Sequence, residues 1–182
     1  MRLDHIAYRV CNRDATALFF DKCLGYRIAE DLPQGFKVDF DDGSNANCYV
    51  LLPPEELIVQ APWSTMELYR GSNLEYHKPP EIFVSQGSPG SIVDQWVKKR
   101  DDVGGIHHLA YQVESVEETM LEWTQKGYAE FTTKEPLTCP GLVQCFTKPS
   151  ILTGVIYEFI ERDTVGFCKD NVKNLMNSTR DL

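Results

Sequence analysis

No stretch of the 182-residue chain approaches the ~20 consecutive apolar residues of a membrane-crossing helix, and no tract is low in complexity. The first absence argues against a helical membrane protein, and the second against a fibrous or disordered one. Positive charge is also scarce: 18 basic against 27 acidic residues give −9, and no basic cluster is longer than Lys98-Lys99-Arg100. A nucleic-acid partner is therefore not expected. Cys-x-x-Cys pairs are missing as well, so Cys11, Cys23, Cys48, Cys139, Cys145 and Cys168 form neither a zinc ribbon nor a redox motif. They are read as reduced thiols in a packed core. The opening Met1-Arg2-Leu3-Asp4-His5 is charged where a signal peptide is apolar, which predicts a cytoplasmic protein.

A duplication organises what is present. Leu3-Asp4-His5-Ile6-Ala7-Tyr8-Arg9-Val10 recurs as Ile106-His107-His108-Leu109-Ala110-Tyr111-Gln112-Val113, and each copy is followed, about twenty residues after its histidine, by Gly-Tyr. A helix is expected between those landmarks in each half. In the first, Ala15, Leu18, Phe19 and Cys23 form an apolar stripe. In the second, Ser115 and Glu118 make a capping box and Gly127 a left-handed stop. Short alternating strands follow, near 35–41, 47–52 and 56–61, then near 128–133, 142–147 and 155–160. The predicted class is α+β: two paired βαβββ modules (1–62 and 104–162) forming an open barrel-like site in a single domain. Residues 63–103 are a connector with a helix around Ile92, Val93, Trp96 and Val97, and 163–182 are a tail with a C-terminal helix.

Period-2 geometry then places side chains. Ile6, Tyr8 and Val10 face the first helix, leaving His5, Ala7 and Arg9 in the hollow of the sheet. Likewise His108, Ala110 and Gln112 face the hollow, while His107 falls on the helix side or at the strand mouth. Glu158, inside the apolar run Val155–Ile160, needs a cation, a donor network or a metal. Two histidines and a carboxylate from three strands match the facial triad that holds non-haem Fe(II) with open positions.

These residues resemble the vicinal oxygen chelate superfamily, which includes glyoxalase I, methylmalonyl-CoA epimerase, bleomycin and fosfomycin resistance proteins, and extradiol and 4-hydroxyphenylpyruvate dioxygenases. The nearest likeness is to the C-terminal catalytic domain of the last. It is carried by Leu3-Asp4-His5, by Gly104-Gly105-Ile106-His107-His108-Leu109-Ala110, by Gln144-Cys145-Phe146-Thr147-Lys148-Pro149 and by Tyr157-Glu158-Phe159-Ile160-Glu161-Arg162. Gly166-Phe167-Cys168-Lys169-Asp170-Asn171 resembles the helix that covers the dioxygenase pocket. The resemblance implies His5, His108 and Glu158 as metal ligands, Gln144 as a catalytic or substrate contact, and Cys48, Gln60, Phe167, Asn171 and Val172 near substrate. Val172 stands where that family carries an aromatic residue, which argues for a related 2-oxo acid rather than for 4-hydroxyphenylpyruvate itself.

Repeat alignment sets Glu56-Leu57-Ile58 beside Glu158-Phe159-Ile160, so Glu56 is a candidate fourth ligand and catalytic carboxylate. Three ligands favour an Fe(II)-dependent dioxygenase that takes a 2-oxo acid and dioxygen. Four favour a redox-neutral glyoxalase- or epimerase-type lyase or isomerase using Zn, Ni, Co or Mn. A metal-free ligand-sequestering module of the bleomycin-resistance kind is a third reading. Monomer and homodimer are both compatible with two modules in one chain.

Overall fold

In the computed structural model, residues 1–54, 79–163 and 167–182 are described. The duplicated segments are the two central strands, β1 (Arg2–Arg9) and β6 (Gly105–Gln112), paired antiparallel. The first half continues through α1 (Arg13–Leu24), β2 (Arg27–Ile28), β3 (Phe36–Asp39), β4 (Asn45–Leu52), β5 (Glu81–Gly87) and α2 (Ile92–Lys98). The second continues through α3 (Val116–Gln125), β7 (Leu137–Cys139), β8 (Leu142–Phe146), β9 (Ile156–Arg162) and α4 (Lys169–Ser178). One sheet runs β2-β4-β5-β1-β6-β9-β8-β7, with β3 also on β4. In each half the leading strand lies parallel to the last strand, β1 to β5 and β6 to β9, and the last strand lies antiparallel to the one before it. The α+β class and the paired modules expected from sequence are present.

The strand parallel to β1 is β5, inside the stretch read as a connector, and not a strand beginning at Glu56. The run Ile82-Phe83-Val84-Ser85 is buried on both faces, so it lacks the alternation that marks a half-exposed strand and reads poorly by periodicity. Residues 56–61 lie outside those described.

Local chemistry starts and stops the helices. The Asn12 side chain accepts from the Ala15 N–H at the start of α1, and Gly25, at φ 74°, ends it. Ser115 accepts from the Glu118 N–H to open α3. The buried face of α1 is not the expected Ala15-Leu18-Phe19-Cys23 stripe. Ala17 and Phe20 are buried, whereas Leu18, Phe19 and Cys23 are exposed. Phe20 wins because its ring sits edge-on between Tyr8 and Tyr26 at 5.5 and 5.6 Å, anchoring the helix through aromatic contacts that apolar counting misses.

Two layers cover the first half of the sheet. Ile6, Tyr8 and Val10 pack with α1, as alternation predicts, and Ala7, Phe83 and Val93 pack on the opposite face with Val172 and Met176 of α4. That second face is the hollow. Cys139 and Cys168 are joined in a disulfide from β7 to the residue preceding α4, correcting the reading of all six cysteines as thiols. Twenty-nine residues separate the pair in sequence, and only the return of α4 onto the sheet edge brings them together. Cys48 and Cys145 are free and buried, Cys11 and Cys23 free and exposed.

Gly35 has φ 68°, and a Cβ there would overlap the Cys48 carbonyl oxygen. Gly35→Ala is therefore expected to destabilise the fold by about 2 kcal/mol or more. A shift of the urea midpoint at unchanged slope would measure it; an unmoved midpoint would contradict the strain.

Candidate metal centre

His5, Glu158 and His108 project from three adjacent strands, β1, β9 and β6. Glu158 Oε2 lies 3.2 Å from His5 Nε2 and 3.0 Å from His108 Nε2, and the two imidazole nitrogens are 3.4 Å apart. One ligand atom from each falls within 4.8 Å of the others. All three are buried. Two nitrogens and a carboxylate oxygen converging in this way form a donor set suited to a first-row divalent ion.

Two β-bulges aim the histidines. The β1–β6 register slips between Leu3 and His5 and again between Ala7 and Tyr8, leaving Asp4 and His107 without a cross-strand partner. Each bulged residue immediately precedes a site histidine and bonds its far nitrogen. Asp4 Oδ1 lies 2.8 Å from His5 Nδ1, and His107 Nδ1 lies 2.8 Å from His108 Nδ1. Both Nε2 atoms are thereby fixed toward Glu158, the arrangement by which outer partners orient metal-ligating imidazoles. Asp4 is held in turn by Arg162, whose Nη2 is 3.0 Å from Asp4 Oδ2 and 3.2 Å from Glu81 Oε2. His107 thus departs from the alternation-based expectation. Its ring lies edge-on to Trp96 of α2 at 5.7 Å and lines the same cavity as His108.

Glu158 is braced from its other side. Gln144 Nε2 donates to Glu158 Oε1 at 2.6 Å, and Asn171 of α4 donates to Gln144 Oε1 at 3.2 Å and to the Leu137 carbonyl at 3.2 Å. Gln144 and Asn171 therefore act on the carboxylate as positioning groups. Phe167 lies edge-on to His5 at 5.2 Å and tilted against Phe83 at 5.1 Å. Phe167 and Val172 line the cavity, with Leu175 and Met176 of α4 beside them. Cys48, expected near substrate, is instead packed in the core of the first half and lies off the cavity lining. Glu56 and Gln60 lie outside the described residues.

Charge follows from this geometry. Burial alone would lower the His5 pKa, but Glu158 and Asp4 outweigh it and hold His5 at about 9. Burial would raise Glu158, yet the two imidazoles keep its carboxyl well below the usual range. Burial keeps His108 below the ordinary histidine value, against the pull of Glu158. At neutral pH these shifts favour a proton on His5 beside an ionised Glu158 and a neutral His108.

No protein-family model matches the sequence, and no curated protein does. Among solved structures the chain is similar to a methylmalonyl-CoA epimerase, with TM-score 0.61 and 17% identity over 90% of this chain and 97% of that one. It is similar to a mutant 4-hydroxymandelate synthase from Streptomyces coelicolor, with TM-score 0.70 and 16% identity over 98% of this chain and 53% of the synthase. A hypothetical protein from Bacillus halodurans C-125 aligns with TM-score 0.58 and 22% identity over 92% of this chain and 98% of that one. The chain shares its fold with these proteins.

Within this fold the duplication can be read residue against residue. Glu158 pairs with Ala110, which follows His108 by two; Phe83 pairs with Ala7, which follows His5 by two. Phe83 is therefore the counterpart of Glu158 in the first half, the place that repeat alignment gave to Glu56. By the same register Cys48, opposite Ser85, is the counterpart of Gln144, opposite Ile160. Sequence reasoning missed Asp4 and His107 because a bulge leaves no trace in period-2 counting. Arg9 it placed correctly on the hollow face but gave no role.

Proposed function

We propose that the protein is a metal-dependent enzyme whose ion is held by His5, His108 and Glu158, and that it is an Fe(II)-dependent dioxygenase acting on a 2-oxo acid. One observation carries the choice: the position related to Glu158 by the duplication is Phe83, so among the described residues three side chains, not four, offer ligand atoms. An ion held on one face by three protein ligands supplies a Lewis-acidic centre with positions left for a chelating substrate and dioxygen. The chain's own residues do the rest. Asp4 and His107 fix the ligand imidazoles, Gln144 and Asn171 hold the carboxylate, and Phe83, Phe146 and Phe167 keep bulk water from the cavity.

Dioxygen consumption by the Fe(II)-loaded protein, followed with an oxygen electrode across a panel of 2-oxo acids, tests this reading. Uptake dependent on both iron and one acid supports it. No uptake with any acid, together with an ion bound by four protein ligands, would overturn it in favour of the redox-neutral lyase or isomerase, a reading favoured by the likeness to a protein named methylmalonyl-CoA epimerase.

Asp4→Asn keeps the shape of the His5 partner and removes its charge. Metal affinity, measured by competition with a chromophoric chelator, is expected to fall about 10- to 100-fold. An unchanged affinity would show that Asp4 serves only Arg162.

A further inference from the structure

Two buried polar atoms beside the metal centre have no hydrogen-bond partner: Arg9 Nη1 and His107 Nε2. Arg9 is 2% and His107 5% exposed, and both line the cavity that holds His5, His108 and Glu158. A buried guanidinium without a counter-ion is costly, and native proteins rarely leave such a group unpaired. Among the described residues no carboxylate forms an ion pair with Arg9. Its Nη2 donates to Thr179 Oγ1, just past the end of α4, at 3.1 Å, and its guanidinium lies 5.9 Å from the Trp96 ring centre. The helix end offsets part of the charge. One edge of the fork remains free.

Arg9 and the candidate ion site share one hollow. His5, Ala7 and Arg9 alternate along one face of β1, and all three line the cavity. His107 adds a donor on the opposite strand. His107 Nδ1 is engaged with His108 Nδ1 at 2.8 Å, which leaves Nε2 as the ring nitrogen without a partner.

Resting on the metal site proposed above, we propose that Arg9 Nη1 and His107 Nε2 form an anion subsite that receives the distal carboxylate of a short dicarboxylic 2-oxo acid whose oxo-acid end chelates the ion. The guanidinium edge and the imidazole N–H together match the two oxygens of a carboxylate. A substrate with an uncharged tail would leave both donors buried and unpaired. Such sites reject the analogue lacking the matching group far more strongly than apolar pockets discriminate by size. Burial lowers the Arg9 pKa to about 9, so the side chain is still cationic at neutral pH.

The test is anaerobic calorimetry on the Fe(II)-loaded full chain, with iron stoichiometry measured first and separately. Two matched pairs are titrated: 2-oxoglutarate against 2-oxopentanoate, and 2-oxoadipate against 2-oxohexanoate. The better dicarboxylate is expected to bind at least tenfold more tightly than its matched monocarboxylate. Arg9→Met is expected to erase that advantage, weakening the dicarboxylate and not the monocarboxylate, with iron stoichiometry unchanged, and Arg9→Lys to restore part of it. Equal affinities within both pairs in the unaltered protein would overturn the subsite, as would an advantage that survives in Arg9→Met. Should Arg9→Met not fold, the comparison in the unaltered protein and in Arg9→Lys decides. Failure to take up iron at all would instead sink the metal reading, a result visible before any acid is added.

Discussion

Metal affinity of the His108→Ala protein is expected to fall by about a hundredfold to a thousandfold, the share of one ligand among three in a site whose binding energy is spread over its donors. Equilibrium dialysis against Fe(II) or Mn(II) measures it. The substitution removes the nitrogen 3.0 Å from Glu158 Oε2 and leaves His5 and Glu158 still in contact, so the residual pair should hold an ion only weakly. His107→Ala is the necessary companion. His107 meets His108 through Nδ1, and its loss should loosen the ring and weaken binding far less than loss of the ligand itself. The opposite order, with binding kept in His108→Ala and lost in His107→Ala, would hand the ligand role to the bulged residue. Binding unaffected by either change would remove the metal site altogether. Thermal midpoints of both variants guard against a folding defect, since the His108 ring packs 4.6 Å from that of Phe146.

Acidification should release the ion over an unusually high pH range. His5 holds a proton up to about pH 9 in the metal-free protein because Glu158 and Asp4 stabilise the cation despite burial. An ion must displace that proton. Below pH 9 affinity should then rise about tenfold per pH unit, some hundredfold from pH 6.5 to 8.5, and level off above. The sign for stability is opposite. The folded-state pKa lies above the unfolded value of 6.5, so the stabilisation from His5 is complete below 6.5 and is lost as pH rises through 9. The metal-free protein should melt at a lower temperature at pH 9.5 than at pH 6.5, while the loaded protein shows little of that loss. A metal affinity constant across pH 6.5 to 8.5 would show that His5 is already neutral when the ion arrives.

Much of this arrangement is legible in the chain because duplication supplies a second reading of each position. The repeat fixed on His5 and His108 rather than His107, and strand alternation turned them, with Arg9, into one hollow. Glu158 declared itself as the acid in an apolar strand. Where legibility failed, the cause is physical. Strand β5 is buried on both faces and carries no alternating signature, so alternation points to a fourth strand of the first half near Glu56 and passes over Glu81–Gly87. The bulges at Asp4 and His107 each insert one residue without changing composition, and their effect, turning the preceding side chain into a clamp for the next, exists only once strands are paired. The stripe expected on α1 missed the aromatic contacts of Phe20, which outweigh the larger count of apolar residues on the exposed side. The Cys139–Cys168 bond depends on α4 returning to the sheet edge, which spacing alone does not foretell.

Phe83 at the place related to Glu158 leaves the donor set one-sided. A carboxylate there would give an ion like anchors from both halves. With an aromatic ring instead, the second half would supply two ligand atoms, from His108 and Glu158, and the first only that of His5, so an apolar wall from β5 would border the positions open to an incoming molecule.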